Sequence, residues 1–414
     1  MTASWKRSNG LRIALLGPYY SRNLGDTATQ LSMVQNLKRL RPEVDIVGVS
    51  PDPADAFSAI GIAAFPLSGT GPCSGMLAAI LPTQAALRPP YPLRLDACPR
   101  ILAFLRGIDL LVVSGGGQLD DFWGGNWGQP WTLLVWVLLA RLSGVRVVYF
   151  AVGVDKIQWR LSRRLFAWGV RLAHACSVRE AEALRVLRDI GVQRNVGRCP
   201  DAVFAWAPEL PSVSGAASPR PFVVLSPISR KTWSHEEDAA HERYFQMLVE
   251  LGKLFAARGL EIRIVCSQSS MDLMDAERLL TTLKKEGIVH VAHVSAPRPV
   301  DFVVQVNGAQ AVVASRLHGV ILSMLAKAPV LAVAHLNKVR EAVTGTVLEP
   351  FCFDLQAFDI QDVKNAADRM LDQSNLLAAR LAESNAARQA ELEPLLRSLV
   401  AVPPTRQGEG NAVP

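Results

Sequence analysis

The sequence of 414 residues lacks a long apolar run, and its most apolar segment is too short to cross a bilayer. That segment, residues 131–142 (WTLLVWVLLARL), has about 12 residues, whereas a transmembrane helix needs roughly 20. The first residues, MTASWKR, lack the apolar stretch and cleavage site of a signal peptide. We therefore expect a cytoplasmic protein in which residues 131–142 form a buried helix.

Cysteine pairs and metal-ligand spacings are also lacking. The six cysteines are scattered, without a CxxC pair or a histidine at zinc-ligand spacing. No cluster of histidines and carboxylates has the spacing of a metal site. We expect reduced thiols and no bound metal.

Acidic residues are too few to balance lysine and arginine, which leaves a formal net charge of +7 at pH 7. This excess suits an anionic substrate, an anionic membrane surface or nucleic acid. No long Lys/Arg run or base-reading module is present, so we expect no nucleic acid partner.

Residues 159–171 are rich in tryptophan and arginine. This stretch is interpreted either as a solvated amphipathic surface helix or as a peripheral contact with the inner membrane at its cytoplasmic face.

Both halves of the chain alternate Val/Leu/Ile-rich strand candidates with helical periodicity, which predicts α/β domains with parallel sheets covered on both faces. The chain exceeds the roughly 250–300 residues at which one core stops growing, so two domains are expected. A midpoint segment rich in Pro, Ser, Gly and Ala predicts a linker. The predicted parts are an N-terminal Rossmann-like domain on the acceptor side (1–206), the linker (207–221), a C-terminal Rossmann-like domain (222–374), a terminal helix (375–402) and a disordered tail (403–414).

Two loops after predicted strands of the first domain carry carboxylates and glycines. In SRNLGD (21–26), Asp26 is interpreted either as a helix cap or as a carboxylate that acts as a base or binds a hydroxyl group. In SGGGQLDD (114–121), three glycines allow a ligand to approach the backbone, and Asp120 either orients sugar hydroxyls or caps the next turn. The loop lacks both GxGxxG and GK[ST], so neither nucleotide fingerprint is present.

Two further strand-end loops carry arginines. Arg179 in SVRE (177–180) suits a phosphate or carboxylate, or else forms a surface ion pair with Glu180 or Glu182. In ASRLHG (314–319), Arg316 and His318 place a forked donor and a titratable group together. Since ligands of open α/β sheets bind beyond the carboxyl ends of strands, these loops are the predicted site.

The ordered segments SRNLGD, SGGGQLD, SVRE, PDAVF, SRLHG and PVLAVAHLNK together resemble the polysaccharide pyruvyltransferase family over about residues 11–345. The resemblance implies two domains in a GT-B-like arrangement with an interdomain cleft. It also implies transfer of pyruvate from phosphoenolpyruvate to sugar hydroxyls, as a ketal, on an exopolysaccharide or a lipid-linked oligosaccharide precursor. Phosphoenolpyruvate is then a co-substrate, the partner is a saccharide acceptor that we expect to be lipid-linked, and no cofactor is implied.

Carried over residue by residue, the resemblance assigns catalytic roles to His318, Asp26 and Asp120. It assigns substrate binding to Arg179, Arg316, Leu317, Arg230, Lys338, Gly115, Gly116, Gly117 and Asn23. The family's usual Arg-Asp pair reads Arg179-Glu180 here, which puts the role of Glu180 in doubt.

In this interpretation, arginines from both domains converge on one small trianionic donor, His318 is the general acid, and Asp26 or Asp120 accepts the hydroxyl proton. Two alternatives stay open. A GT-B glycosyltransferase with a nucleotide-sugar donor would use the same cleft, and a catalytically silent scaffold would keep the fold while Glu180 marks a decayed site.

Overall fold

A computed structural model describes residues 10–17, 23–71, 93–122, 124–154, 157–209, 220–229 and 238–401. Contacts divide the chain into two compact units, and each unit contains one parallel sheet. The first unit consists of Met1–Tyr20, Thr29–Trp206 and Glu391–Pro414. The second unit consists of Ser21–Ala28 and Ala207–Ala390.

The first unit is built on a seven-stranded sheet in the order β3-β2-β1-β4-β5-β6-β7. Its strands are rich in Val, Leu and Ile and mostly buried, as expected of a parallel sheet covered on both faces. The strands are β1 Arg12–Leu16, β2 Asp45–Ser50, β3 Ala64–Pro66, β4 Leu110–Ser114, β5 Arg146–Val152, β6 Ala175–Val178 and β7 Val196–Arg198. The helices in this half of the chain are α1 Leu24–Leu40, α2 Pro53–Ile60, α3 Cys98–Leu105, α4 Gln129–Leu142, α5 Arg160–Leu172 and α6 Ala181–Asp189.

Helix α4 fills the core of the first unit, which confirms that the most apolar segment is a buried helix. Trp136 is fully buried and packs edge-on against Phe65 and Phe104, whose rings stack with centroids 4.3 Å apart. The Trp136 indole N–H donates to the Leu67 carbonyl at 2.8 Å, so the burial of this large ring leaves no polar atom unsatisfied.

The second unit is built on a six-stranded sheet in the order β10-β9-β8-β11-β12-β13. Its strands are β8 Phe222–Ser226, β9 Glu261–Ile264, β10 Val291–His293, β11 Val312–Ala314, β12 Val330–Ala334 and β13 Cys352–Asp354. Its helices are α7 Asp238–Ala257, α8 Ser269–Lys285, α9 Pro299–Val306, α10 Leu317–Leu325, α11 Asn337–Val343, α12 Ile360–Asp372 and α13 Ser374–Val400, whose last residues belong to the first unit.

Strand order reverses once in each sheet, next to β1 in the first unit and next to β8 in the second. Such switch points open a crevice beyond the carboxyl ends of the strands. The loops after β1 and β4, and those after β8 and β11, are therefore where the fold offers a ligand site.

The predicted class of two α/β domains with parallel sheets is confirmed, and two segments group differently from the predicted domains. The structure assigns Ser21–Ala28 to the second unit, whereas the sequence pattern places them in the N-terminal domain. Glu391–Pro414 group with the first unit. Most of the predicted linker, and the predicted tail from residue 403, lie outside the described residues. None of the described helices has the length and apolarity needed to cross a membrane.

Candidate functional site

Three helix starts lie together in the second unit. Helix α1 begins at Leu24, whose amide donates to the carbonyl of Ser267 at 3.3 Å, just before α8 begins at Ser269. The next residue, Gly25, lies against the ring of His318 in the first turn of α10. Helix N-termini present amide N–H groups and the positive end of the helix dipole. This arrangement of α1, α8 and α10 favours an anion.

The contact between Gly25 and His318 requires glycine. A β-carbon at position 25 would lie 2.0 Å from His318 Nδ1 and 2.2 Å from its Cγ. Any larger residue would displace either the imidazole or the start of α1. The structure therefore brings the SRNLGD and SRLHG segments together within one unit.

Asn23 caps helix α1 and holds Asp26. The side-chain oxygen of Asn23 accepts from the Gly25 amide at 3.1 Å, and its side-chain nitrogen donates to Asp26 Oδ2 at 2.7 Å. The capping considered for Asp26 is thus performed by Asn23. The Asp26 carboxylate is partly exposed one residue from the glycine that contacts His318.

Arg316 forms a two-point ion pair with a carboxylate that the sequence analysis did not identify. Its Nε lies 2.5 Å from Asp272 Oδ2, and its Nη2 lies 2.7 Å from Asp272 Oδ1. Asp272, in the first turn of α8, is fully buried and also accepts from the Ser229 amide at 2.8 Å. Burial raises the pKa of the Asp272 carboxyl, while Arg316 and the Ser229 amide oppose that shift. The pair fixes the plane of the guanidinium and balances its charge.

A buried hydroxyl network lies beneath Arg316. The Tyr244 hydroxyl contacts Ser315 Oγ at 2.9 Å and accepts from the Ile228 amide at 3.2 Å. Nδ1 of His335 lies 3.1 Å from the Ser315 carbonyl oxygen, to which it donates. Burial raises the pKa of Tyr244, which therefore stays neutral. These contacts tie the ends of β8, β11 and β12 together around the Arg316 backbone.

Three other residues, Leu317, Lys338 and Arg230, are also predicted to bind substrate. Leu317 opens helix α10 with its side chain buried, so a ligand would meet its backbone. Lys338 is partly exposed in α11, beyond the end of β12. Arg230 lies outside the described residues.

Arg179 of the first unit is enclosed by two carboxylates. Its side chain is 5% exposed, forms an ion pair with Glu180, and donates through Nη1 to Asp201 Oδ2 at 2.8 Å. Burial lowers the pKa of Arg179, but Glu180 and Asp201 outweigh that effect and raise it overall. With two carboxylates against one guanidinium, the group carries no excess positive charge. The geometry favours holding the ends of β6 and β7 together over direct binding of an anionic donor.

In the loop after β4, packing explains the need for glycine at one of the three glycine positions. Gly115 and Gly116 have left-handed backbones, with φ of 52° and 67°. A β-carbon at Gly115 would lie 2.2 Å from Thr29 Cγ2 of helix α1, so this glycine permits close packing of helix and loop. Gly117 is exposed and keeps the predicted capacity to face a ligand.

The two acids that end this loop organise turns. Asp120 is partly exposed, and its Oδ1 accepts from the Phe122 amide at 3.2 Å. Asp121 is buried and accepts from the amides of Gln158 and Trp159, immediately before helix α5. Among the described residues, no group of three or more His, Cys, Asp or Glu side chains is arranged to hold a metal ion. The predicted convergence of Arg179 and Arg316 on one donor stays a prediction.

The backbone is similar to those of several solved sugar-modifying enzymes. A UDP-GlcNAc 2-epimerase from Neisseria meningitidis bound to UDP-GlcNAc is 11% identical with a TM-score of 0.57, covering 94% of this chain and 99% of its own. A glycosyltransferase from Rickettsia africae is 10% identical with a TM-score of 0.57, covering 95% and 100%. A UDP-GlcNAc 2-epimerase from Methanocaldococcus jannaschii is 10% identical with a TM-score of 0.53, covering 88% and 93%. Identity at this level shows the fold alone, and it confirms the predicted GT-B-like class.

Comparison of the sequence itself with known families and proteins gives a second, independent result. No curated protein matches the chain significantly. The family model described as polysaccharide pyruvyl transferase matches residues 23–337, from the asparagine that caps α1 to the first residue of α11. The match includes the clustered segments around Asp26 and His318. The chain therefore belongs to the polysaccharide pyruvyl transferase family, whose members are transferases that act on polysaccharide.

Proposed function

We propose that the protein transfers the pyruvyl group of phosphoenolpyruvate to sugar hydroxyls and closes a pyruvate ketal. The acceptor is an exopolysaccharide or a lipid-linked oligosaccharide precursor, and the reaction takes place in the cytoplasm. One observation carries the proposal: in a member of this family, His318 lies against Gly25 at the start of α10, two residues after Arg316, whose guanidinium Asp272 holds.

The donor carries a phosphate and a carboxylate on a small carbon frame. The positive dipole ends at the starts of α1, α8 and α10 favour such a trianionic frame. Because Asp272 balances the charge of Arg316, we assign Arg316 an orienting hydrogen-bond role, and Lys338 and Arg230 keep the substrate-binding role that the family resemblance implies.

The proposed reaction begins with proton donation from His318 to the terminal vinyl carbon of the donor. A sugar hydroxyl then adds to the resulting cationic carbon and gives its proton to the carboxylate base. A second hydroxyl closes the ring as the bond from this carbon to the phosphate oxygen breaks, and its proton leaves on the released phosphate. Imidazole is the side chain best suited to proton transfer near neutral pH, and such general acid catalysis contributes about 10²–10⁴-fold. Water would turn the cationic carbon into free pyruvate, so the site must exclude it.

We assign the acceptance of the hydroxyl proton to Asp26. Two observations support Asp26 over Asp120. Asp26 belongs to the same unit as His318 and adjoins Gly25, whereas Asp120 belongs to the first unit and accepts a hydrogen bond from the Phe122 amide. Asn23 also fixes one Asp26 oxygen, which leaves the carboxylate in a defined orientation.

The proposal is tested by phosphate release and ketal formation with phosphoenolpyruvate and a pool of lipid-linked oligosaccharides. His318→Ala should lower the rate about 10²–10⁴-fold. The matched control is His290→Ala, since His290 is an exposed histidine of the same unit in the turn before β10. Full transfer activity in the His318→Ala variant would remove the acid assignment.

A nucleotide-sugar glycosyltransferase is the second candidate, because the fold is shared with an enzyme bound to UDP-GlcNAc. The donors are distinguished by thermal unfolding with each ligand. A ligand at about 100 times its Kd stabilises the folded state by about 2.7 kcal/mol. We expect phosphoenolpyruvate to raise the Tm. A rise with UDP- or GDP-sugars and none with phosphoenolpyruvate would establish the second candidate instead.

A further inference from the structure

Helix α5 of the first unit presents one exposed stripe that is almost entirely cationic. Its exposed residues lie along one side of the helix and are Arg160, Arg163, Arg164, Trp168 and Arg171. The opposite face, with Leu165, Phe166 and Val170, is buried. A solvated helix surface commonly mixes both charge signs, whereas this stripe contains no acid.

The stripe borders a surface groove of about 270 Å³ that is lined by four arginines and one acid, Asp189. Within the described ranges, Arg160, Arg163 and Arg164 form no ion pair with a carboxylate. Arg171 donates to the Gly191 carbonyl at 2.7 Å, which holds it at the edge of the groove. Among the described residues, the lining of the groove therefore has an excess of positive charge.

Aromatic side chains surround the start of the same helix and are exposed to solvent. The exposed fractions are 77% for Phe122, 56% for Trp127, 54% for Trp159 and 51% for Trp168. Large aromatic side chains are seldom left this exposed without a binding partner, and exposed apolar patches commonly mark interaction surfaces. Tryptophan in particular favours the boundary between apolar and aqueous phases.

Hydrogen bonds join these aromatic residues to α5 in one rigid frame. The Asp121 carboxylate accepts from the Trp159 amide at 2.8 Å. Asn126 Oδ1 accepts from the amide and the hydroxyl of Ser162 at 3.0 and 2.9 Å. Hydrogen bonds of Asp121 and Asn126 therefore hold the chain next to Phe122 and Trp127 against the start of α5.

We infer that α5, together with the exposed side chains of Phe122, Trp127 and Trp159, forms a docking surface for the anionic headgroups of a membrane. Arginine pairs with lipid phosphates, and the neighbouring tryptophan and phenylalanine side chains enter the headgroup boundary. Charge complementarity selects the occupant, because the groove offers guanidinium groups and the rim offers apolar rings. The inference does not depend on the proposed donor, since docking requires neither phosphoenolpyruvate nor a sugar.

The test is cosedimentation of the full chain with vesicles, in the absence of donor and acceptor. Vesicles of phosphatidylcholine with about 30% phosphatidylglycerol should bind the protein, whereas pure phosphatidylcholine vesicles should not. Binding should be lost at about 1 M salt, where the Debye length falls to about 3 Å. The triple variant Arg160→Gln, Arg163→Gln, Arg164→Gln should bind about a hundredfold more weakly.

The matched control removes the same charge elsewhere on the first unit. Arg94→Gln, Arg106→Gln and Arg185→Gln replace three exposed arginines outside the docking surface. This control variant should keep vesicle binding within about threefold of the parent chain, since the local charge density is unchanged. Both triple variants should transfer pyruvate to a soluble acceptor at the parent rate, which separates docking from chemistry.

A second variant tests the apolar part of the surface. Trp159→Ala with Trp168→Ala should weaken vesicle binding about tenfold and reduce the blue shift of tryptophan emission on addition of anionic vesicles. Equal binding of the two triple variants, or equal binding to both vesicle types, would overturn the inference. So would single-stranded RNA binding to the stripe under conditions where anionic vesicles do not sediment the protein.

Discussion

At the scale of single residues, the contact between Gly25 and His318 leads to a direct prediction. A methyl group at position 25 would lie 2.0 Å from His318 Nδ1, far inside van der Waals contact. We predict that Gly25→Ala lowers pyruvyl transfer about 100-fold, because a misplacement of about 1 Å in a catalytic group can cost that much. The measurement is kcat/KM for phosphoenolpyruvate, together with the Tm.

Gly197→Ala in β7 is the matched control for this substitution. A β-carbon at Gly197 would meet no heavy atom within 4 Å, and its φ is not in the left-handed region. Its kcat/KM should equal that of the parent chain. Parent activity in the Gly25→Ala variant would show that the His318 position is not needed for transfer.

The pair between Arg316 and Asp272 leads to a prediction about stability. Asp272→Ala leaves Arg316 without its buried partner, which should lower the free energy of unfolding of the second unit by about 3–5 kcal/mol. Glu383→Ala removes an exposed partner of Arg380 and should change it by less than about 1 kcal/mol. Urea unfolding of both variants makes the comparison. Equal losses of unfolding free energy in the two variants would show that burial of the Arg316–Asp272 pair does not stabilise the second unit.

The sequence identifies some site residues and misses their partners for a physical reason. Arg316 and His318 occupy a strand end and a helix start, and both positions follow from local pattern. Asp272 and Tyr244 lie 44 and 71 residues from the groups they bind, so only tertiary packing brings them there. Arg179 forms the ion pair with Glu180 that the sequence analysis considers. Its second partner, Asp201, cannot be identified from the local sequence pattern.

At the scale of helices and strands, length decides what can be predicted. The sequence pattern predicts a strand at Arg146–Val152 and a helix at Met271–Glu286, and β5 and α8 match these ranges within a few residues. Three-residue strands such as β3, β7 and β10 escape prediction, because periodicity needs more residues than they contain. Their place in the sheet comes from neighbouring strands and not from their own sequence.

The sequence pattern predicts a helix at Ile157–Leu172, whereas helix α5 begins three residues later, at Arg160. Asp121 explains the shift, because its carboxylate binds the amides of Gln158 and Trp159 and Trp159 keeps an extended backbone. A carboxylate distant in sequence thus fixes where the helix starts. Sequence periodicity alone contains no information about such a cap.

The capping of helix α5 by Asp121 leads to a prediction about stability. Asp121→Ala should lower the free energy of unfolding of the first unit by about 1–2 kcal/mol, since two amides before α5 lose their acceptor. Asp96→Ala, which removes a surface partner of Arg94, should cost less than about 1 kcal/mol. Denaturant unfolding provides the measurement. A loss no greater than that of Asp96→Ala would mean that solvent replaces the cap.

At the scale of the whole molecule, the two units follow from chain length and alternating pattern, but the membership of two helix ends does not. The start of α1 groups with the second unit, and α13 has residues up to Ala390 in the second unit and later residues in the first. A helix is continuous in sequence whatever it packs against. The residues that each part of a helix packs against therefore decide which unit that part belongs to. The amino-acid composition does not mark where the helix passes from one unit to the other.

Two truncated chains test this division of α13 between the two units. Ending the chain after Ala390 removes Leu392, Leu396 and Leu399, each at most 2% exposed, and should lower the Tm of the first unit only. Burial of each leucine contributes about 1.5–3 kcal/mol. Ending the chain after Gln373 also removes the bond from Asn385 to the Met324 carbonyl and should destabilise both units. Scanning calorimetry resolves the two transitions.

The two truncations serve as controls for each other. A chain ending at Ala390 whose second transition falls as far as that of the shorter chain would contradict the division. So would a shorter chain that retains the second transition of the parent.

The meeting of Gly25 with His318 also determines when the site exists during synthesis on the ribosome. The glycine leaves the exit tunnel early, whereas its histidine partner emerges nearly 300 residues later, and domains generally fold in the order of their translation. The Ser267 carbonyl, which accepts from the Leu24 amide, also emerges long after Leu24 itself. A nascent chain that ends before His318 therefore lacks this contact, and with it the site that we propose for transfer.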